Sequence, residues 1–303
     1  MLRGPARFGT DLDRAGFGSL TRYDEVGEAV MTRRGTRAFD EVIVGAGLMA
    51  GAANVVMQLA RPGVGHGVVE STVDSGNLFL HPWKRARTTF TYLSVATMGT
   101  EEEKRAYRRA VNRSHAHVRS GADSPVEYSA FDRELQLWVA ACLYKGFEDG
   151  YEALLGRRLS EEHREAVYAD AASLGTTLQV RPEVWPADRA SFAAYWDEQL
   201  DRVRIDEPVR RHLVGVVELR FLPAPLRVPF ARLNRFLSTG FLPPVFREQM
   251  RLPWTARDQR RFDRATRAVG AVVLRLPGPL RRFPFNFFLW DLRRRVRAGL
   301  PLV

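Results

Sequence analysis

One histidine of this sequence stands where it could bind a metal. From Glu101 onward the pattern is helical, and a stripe recurs at three- and four-residue spacing: Ala110, Val111, Ser114, His115 and Val118. His115 is therefore expected to face the interior, where a neutral imidazole in an apolar wall can ligate a haem iron or another metal. His117 follows two residues later, roughly 200° around the helix, so it cannot share a ligand with His115. A core histidine bonded to a backbone carbonyl would show the same pattern.

Two arginines flank this histidine on the expected helix. Arg113 precedes it by two residues, and Arg119 lies about one turn beyond it. Guanidinium groups form two-pronged hydrogen bonds with carboxylates, so Arg119 could pair with a carboxylate of a bound cofactor, a propionate in the case of haem. The alternative for both arginines is a solvated position on the outer face of the helix.

A second candidate group follows Trp83. Lys84, Arg87 and Thr88 fall within about one turn of a predicted helix, so Lys84 and Thr88 project in nearly the same direction. Hydrogen-bond donors grouped in this way can polarise a bound ligand or stabilise charge that develops on it. The alternative is an ordinary first turn with exposed basic groups.

A non-haem iron site is another hypothesis. Glu70 and Asp74 lie close together in the sequence, and with His66 or His81 they would supply carboxylate and imidazole ligands, although their spacing is irregular. Cys142 is the only cysteine, which excludes an internal disulfide and a cysteine-based zinc site.

The segment FDEVIVGAGLMAG indicates a different class of protein. It resembles a strand followed by the glycine-rich turn of a dinucleotide-binding fold, with Gly45, Gly47 and Ala50 in place and Glu70 near the position of a ribose-binding acid. Such a fold would predict a flavin or nicotinamide oxidoreductase. It also requires further strands, whereas the sequence after Glu70 continues as helices. A glycine-rich helix that a neighbour approaches closely explains the same letters.

The chain as a whole predicts an all-α fold in a single globular domain. Helical periodicity marks segments at about 40–60, 83–98, 101–119, 131–155, 160–176, 187–202, 207–219, 227–239, 256–275 and 285–298. Asp132, Ser160 and Asp206 stand where helix N-caps are expected. We expect an N-terminal extension at 1–39, a helical core at 40–245, and a basic C-terminal segment at 246–303 that packs on the core or on a membrane.

Motifs between about residues 40 and 200 resemble those of the MpaB-type fungal oxygenases and the bacterial latex-clearing (rubber) oxygenases. The family pattern H-x-x-V-x-G, Y-x-A-x-D-P-x-L and W-V is matched by His115, Val118, Tyr128, Ala130, Asp132, Leu135, Trp138 and Val139. The stretches QLARPGVGHGVVES and HPWKRARTTFTYL resemble two further family segments. The second segment contains R-x-x-R-T, in which either Lys84 or Arg85 takes the place of the first arginine.

This resemblance implies an all-α oxygenase that binds haem b through His115. It also implies that the segment with Lys84, Arg87 and Thr88 lines the side of the haem where dioxygen binds. The substrates would be dioxygen and a hydrophobic small molecule, such as an isoprenoid or a lipid, and no electron-donor partner is indicated. The alternatives are a non-catalytic haem- or lipid-binding protein on the same scaffold and the flavin or nicotinamide oxidoreductase described above.

Positive charge is concentrated near the C-terminus. The formal net charge is +11, and residues 246–303 contain 14 arginines against four acidic residues. The final segment, RRFPFNFFLWDLRRRVRAGLPLV, combines aromatic side chains with arginines, as does a helix that lies in an anionic membrane interface. The alternative is a terminal helix that packs its aromatics on the core and solvates its basic end. No nucleic-acid partner is expected, because no binding motif accompanies the arginines.

No targeting or membrane-spanning segment is evident. The first twenty residues lack a continuous apolar core, and no later stretch has eighteen apolar residues without a charge. We therefore expect a cytoplasmic protein, with peripheral membrane contact as the alternative.

Overall fold

Helices make up the regular structure of the protein. The computed structural model describes residues 37–73 and 76–303. Its α-helices, in chain order, are α1 (Phe39–Val42), α2 (Gly51–Leu59), α3 (Pro62–Val69), α4 (Pro82–Met98), α5 (Glu101–His115), α6 (Arg133–Leu155), α7 (Glu161–Ala171), α8 (Ser173–Thr176), α9 (Arg189–Leu200), α10 (Glu207–Val217), α11 (Ala224–Phe241), α12 (Pro244–Gln249), α13 (Ala256–Val273), α14 (Gly278–Arg281) and α15 (Phe285–Arg297). Short 3₁₀ helices lie at Gly45–Ala50 and Pro182–Val184. The described residues contain no strand apart from an isolated bridge between Arg119 and Ser129, so the all-α prediction is confirmed.

The predicted N-caps are confirmed. Side-chain oxygens of Asp132, Ser160 and Asp206 accept hydrogen bonds from backbone N–H groups three residues further on, at 2.9, 3.3 and 3.1 Å. Each oxygen satisfies an N–H group that has no carbonyl partner inside its own helix. These polar side chains therefore fix where α6, α7 and α10 begin.

The dinucleotide-binding hypothesis is wrong. Gly45–Ala50 forms a 3₁₀ helix and not the turn after a strand. Its first glycine instead allows close packing, because a Cβ on Gly45 would collide with the carbonyl oxygen of Phe283 just before α15. The flavin or nicotinamide alternative therefore loses the fold on which it depended.

Helix α3 was not predicted, because glycine is a poor helix former and this helix contains three glycines. A Cβ on Gly63 would collide with Leu135 of α6, and one on Gly67 would press against Tyr128. A Cβ on Gly65 would collide with the carbonyl oxygen of Leu59 and press against Val209 of α10. The glycines let these neighbours approach the helix backbone. Tertiary packing thus overrides the weak local helix propensity.

Trp138 connects three helices at the centre of the core. Its side chain on α6 is fully buried, and its indole N–H is shared between the carbonyls of Met57 and Gln58 at 3.2 and 3.1 Å. The indole also stacks on Trp196 of α9, with ring centroids 5.1 Å apart. Burying a large ring whose single donor is satisfied stabilises this junction without a desolvation penalty.

The C-terminal helix α15 lies along α4 and packs its inner face on the protein. Phe285, Leu289 and Leu292 are buried. The last two join an apolar cluster from α4 and α5, which contains Val95, Tyr107 and Val111. The basic C-terminal segment is therefore part of the packed structure.

The expected domain layout is only partly covered by the described residues. The predicted N-terminal extension, 1–39, lies almost entirely outside the described residues. The predicted boundary at 245/246 falls within α12, and the division of the chain there remains a prediction. Across 37–73 and 76–303, no helix is both long and apolar enough to cross a bilayer.

Candidate functional site

The α4–α5 hairpin brings His115 beside the first turns of α4. Thr100 begins α5 with a capping box, in which its side chain and that of Glu103 each accept a backbone N–H. The chain then returns along α4, and the Tyr107 hydroxyl donates to the carbonyl of Thr88 at 2.7 Å. His115 is the last residue of α5, which ends four residues earlier than the sequence predicted. The helix end therefore places this imidazole next to the basic segment of α4.

His115 has the properties of a ligand-competent imidazole. Its side chain is half-buried, and burial together with the nearby Arg85 guanidinium lowers its pKa below the ordinary value of 6.5. The ring is thus neutral at pH 7, with one nitrogen lone pair free for coordination. None of the described residues forms a hydrogen bond with its ring nitrogens.

Arg85 lies close enough to this histidine to affect its charge. Solvent reaches the side chain, yet burial lowers the pKa of the guanidinium, with only a small opposing contribution from Tyr107. Arg85 Nη1 donates to Thr89 Oγ1 at 3.3 Å, and no carboxylate in the described part of the chain forms an ion pair with it.

The three predicted catalytic residues lie on the same turns of α4. Arg87 is half-buried, and its Nε has no hydrogen-bond partner among the described residues. The Thr88 hydroxyl donates to the carbonyl of Lys84 at 3.0 Å, so in this structure it is directed to its own helix. Of the two candidates for the first arginine of R-x-x-R-T, Arg85 interacts with His115 and Lys84 does not. This relationship could not be resolved from the sequence.

The two flanking arginines occupy different places. Arg113 is exposed on the last turn of α5. Arg119 is also exposed, but it lies beyond the helix end, where the chain pairs briefly with Ser129. The expectation that Arg119 follows His115 by one helical turn is therefore wrong, because the helix stops at His115.

The residues around His115 suit a haem better than a bare metal ion. One neutral imidazole provides a single axial ligand, and the arginines Arg85 and Arg87 provide donors that lack an anionic partner. Cations without a carboxylate partner favour a ligand that carries negative charge or develops it in the site. A haem presents an iron to the imidazole and two propionates to arginines at its edge, and both kinds of partner are present here.

A second polar group, whose hydrogen bonding the sequence did not predict, joins α3 to α10. His66 is buried, and its Nδ1 lies 2.6 Å from Glu70 Oε1 while its Nε2 lies 2.7 Å from Asp206 Oδ2. The Tyr128 hydroxyl donates to the other oxygen of Glu70 at 3.0 Å. We call His66, Glu70, Asp206 and Tyr128 the His66 cluster.

The charges in this cluster stabilise one another. Burial opposes the charged form of His66, but hydrogen bonds to Glu70 and Asp206 outweigh it and raise its pKa above 6.5. Burial likewise opposes the Glu70 carboxylate, yet donors including His66 and Ser124 hold its pKa below 4.5. Burial and the adjacent Glu70 raise the pKa of Tyr128 to about 12. The protonated form of His66 is therefore stabilised between two carboxylates.

The non-haem iron hypothesis is not supported by this arrangement. Both ring nitrogens of His66 point at carboxylates, so neither carries a lone pair for a metal. His81 is exposed at the start of α4, and Asp74 lies outside the described residues. Across the part of the chain that the structure describes, no three His, Cys, Asp or Glu side chains are grouped to hold a metal.

Two members of the His66 cluster, Glu70 and Tyr128, line a cavity of about 420 Å³. Glu70 and Tyr128 face it from one side, and His117 and Arg119 from the loop after α5. The four-residue spacing of His66 and Glu70 would have indicated their pairing, had α3 been recognised as a helix. The contribution of Asp206, 140 residues from His66, has no sequence signal beyond its role as a cap.

Comparison with known proteins agrees with the motif resemblance. The model of the family described as ER-bound oxygenase mpaB/B′ and rubber oxygenase, catalytic domain, matches residues 42–271. An uncharacterized protein of Mycobacterium bovis and one of Mycobacterium tuberculosis are each 52% identical over 252 residues, which cover 83% of this chain and 98% of either relative. No solved structure gives a significant match. The family match includes all of α4, α5 and His115.

Proposed function

The chain belongs to the catalytic-domain family of ER-bound oxygenase mpaB/B′ and rubber oxygenase, and from that premise we propose that it is a haem-dependent oxygenase. In general terms the family makes it an oxidoreductase that uses dioxygen. The proposal adds haem b as the cofactor, His115 as the ligand of its iron, and a hydrophobic molecule of the isoprenoid or lipid class as the substrate.

One observation carries the cofactor assignment. A half-buried imidazole, kept neutral by burial and by Arg85, ends a helix beside donors that have no carboxylate partner. An ordinary core histidine would instead have its ring nitrogens bonded within the protein, as those of His66 are. The contrast between these two histidines favours His115 as the residue that meets a ligand.

The remaining residues receive roles from their chemistry. Bound haem would supply the iron at which dioxygen is activated. Lys84 and Arg87 would donate hydrogen bonds to dioxygen in the site, and Arg85 would add a third cation on the same turns of α4. Thr88 would join them if its hydroxyl turned from the Lys84 carbonyl. Arg113 and Arg119, both exposed, would pair with the propionates.

A hydrophobic substrate also suggests where the protein works. Isoprenoids and lipids dissolve in bilayers more than in water, so we propose that the C-terminal segment makes peripheral contact with a membrane. An electron donor is not part of the proposal. The alternative function is a protein of the same scaffold that binds haem or lipid without consuming oxygen.

The test is an absorption spectrum of full-length protein produced with added haem, compared with two histidine variants. We expect a Soret band in the wild type, its loss in His115→Ala, and its retention in His117→Ala, which removes a neighbouring exposed imidazole. Equal haem content in the wild type and His115→Ala would refute the ligand assignment. A wild type without a Soret band would refute haem dependence.

Oxygen uptake then separates the enzyme from the binding protein. With haem bound, the wild type should consume dioxygen when isoprenoid or fatty-acyl substrates are supplied. Arg87→Met should keep the Soret band and lower the uptake rate by about tenfold or more, as expected for loss of one preorganised donor. Haem binding without any uptake across these substrates would favour the alternative.

A further inference from the structure

The outer face of α15 and the segment just before it carry large apolar side chains, three of them aromatic, that are open to solvent. Leu280, Phe283, Phe287 and Trp290 are 62%, 60%, 46% and 52% exposed. Ring centroids of Phe283 and Phe287 are 6.4 Å apart, and those of Phe287 and Trp290 are 5.8 Å apart. The rings therefore form one continuous surface, which we call the aromatic face.

The aromatic face is not needed for packing α15 on the protein. The opposite side of the helix carries the buried Phe285, Leu289 and Leu292, and Phe288 contacts Phe90 of α4 with ring centroids 5.3 Å apart. A terminal helix that only covered a core would present polar residues outward. Contiguous exposed rings of this size indicate a surface that meets another phase or molecule.

Arginines surround the aromatic face. Arg281 and Arg297 have no carboxylate partner among the described residues, and the Arg294 guanidinium lies 6.0 Å from the centre of the Trp290 ring. The whole segment 246–303 carries 14 arginines and four acids. This excess of positive charge opposes the approach of a second copy through the same face and attracts an anionic surface.

We propose that the aromatic face binds the surface of a bilayer that contains anionic lipids. Phenylalanine and tryptophan insert at the boundary between headgroups and acyl chains, while arginines bind the lipid phosphates. The contact is peripheral, since none of the described helices has the length and apolarity to cross a bilayer.

The aromatic face also lies at the end of the molecule where α4 begins. Helices α4 and α15 run in the same direction, because Phe90 contacts Phe288 while Arg293 pairs with Glu103, just beyond α4, at 2.7 Å. Trp83 precedes Phe90 by two helical turns on the same side of α4, and it is 72% exposed. It therefore lies at the end where α15 starts, two residues before Arg85 and about half a turn around α4 from it.

This position suggests a role for the membrane contact in substrate entry. That role rests on the proposed function. A hydrophobic substrate that leaves the bilayer at the aromatic face would enter beside the basic turns of α4. A protein bound in this orientation would let the substrate pass from the bilayer to the site without crossing bulk water. The membrane contact itself requires no haem and can be tested without it.

The experiment is co-sedimentation of the full-length protein with vesicles of phosphatidylcholine alone or of phosphatidylcholine with phosphatidylglycerol. The test variant is Phe287→Glu. The control is Phe131→Glu, a matched change at a 39% exposed phenylalanine near the start of α6. Helix α6 reaches α15 at Phe147, which contacts Phe285 about 20 Å further along α6. Phe131 is therefore far from the aromatic face. Both variants should keep the helical circular dichroism of the wild type.

We expect binding to the anionic vesicles only, weakened about tenfold by Phe287→Glu and changed less than about twofold by Phe131→Glu. Absence of wild-type binding, equal binding to neutral vesicles, or an equal loss in both variants would each overturn the proposal. A wild-type dimer that Phe287→Glu dissolves would assign the face to a second copy and also overturn it. Haem content of the same samples is measured separately, so failure of the cofactor assignment is distinguishable from failure of the membrane contact.

Discussion

His66 Nε2 lies 2.7 Å from Oδ2 of Asp206, a residue 140 positions further along the chain. The same carboxylate caps α10 through its other oxygen, which accepts the Val209 N–H at 3.1 Å. One side chain therefore begins a helix and fixes a buried imidazolium on α3. This double use makes Asp206 a more sensitive position than an ordinary helix cap.

Substitutions at Asp206 should separate its two roles. Asp206→Asn keeps a capping oxygen but removes the charge, and we expect a loss of about 1–2 kcal/mol in the free energy of unfolding, limited by the partial exposure of this side chain. Asp206→Ala should lose about 1 kcal/mol more, because the cap is also gone.

Urea unfolding measures the free energy of unfolding of both variants. Asp132→Ala, which removes a cap without a buried partner, is the control and should cost only about 1 kcal/mol. Equal losses in all three variants would contradict a special role for the pair.

The His66 cluster should also make stability depend on pH. The folded-state pKa of His66 is raised above 6.5, so its contribution is complete below that pH and is lost as pH rises through the folded value. The folded-state pKa of Glu70 is lowered below 4.5, so its contribution is complete above that pH and is lost as pH falls through the folded value. The stability of the wild type relative to His66→Gln should therefore be greatest between about pH 4.5 and 6.5. Unfolding curves of both proteins across pH 4–9 provide the test, and a constant difference would contradict it.

Arg85 should control the charge of His115. Since burial and the Arg85 guanidinium together lower the pKa of His115, Arg85→Met should let that pKa rise towards 6.5. Lys84→Met is the matched control and should leave it unchanged. Proton NMR titration of the histidine rings in haem-free protein, with His115→Ala to assign the resonance, measures the shift. A larger effect from Lys84→Met would instead support Lys84 as the first basic residue of the family motif.

Gly45 should tolerate no side chain. A Cβ there would collide with the Phe283 carbonyl, whereas a Cβ on Gly47 would meet no atom within 4 Å. Gly45→Ala should therefore lower the free energy of unfolding by about 1–3 kcal/mol or more, since a backbone atom cannot move aside. Gly47→Ala should change it by less than about 0.5 kcal/mol. Thermal unfolding of the two variants measures these losses of stability. Comparable losses in both would argue against the close approach of Phe283 to Gly45.

The sequence by itself determined that the fold is helical and where several of the helices begin. Helical periodicity and polar capping residues such as Asp132 and Ser160 act over a few neighbouring positions, so the helices that follow them were predicted closely. The family motifs likewise identified His115 and the basic turn of α4. These features depend on local spacing, which a sequence states directly.

Only the tertiary structure decided which side chains meet. The glycines of α3 oppose helix formation locally, and the helix exists because Tyr128 and Val209 pack against them. The pairing of His66 with Asp206, and the choice of Arg85 over Lys84 as the neighbour of His115, depend on how separate helices are arranged. Periodicity places a residue on a face of its own helix. It carries no information about which distant residue that face contacts.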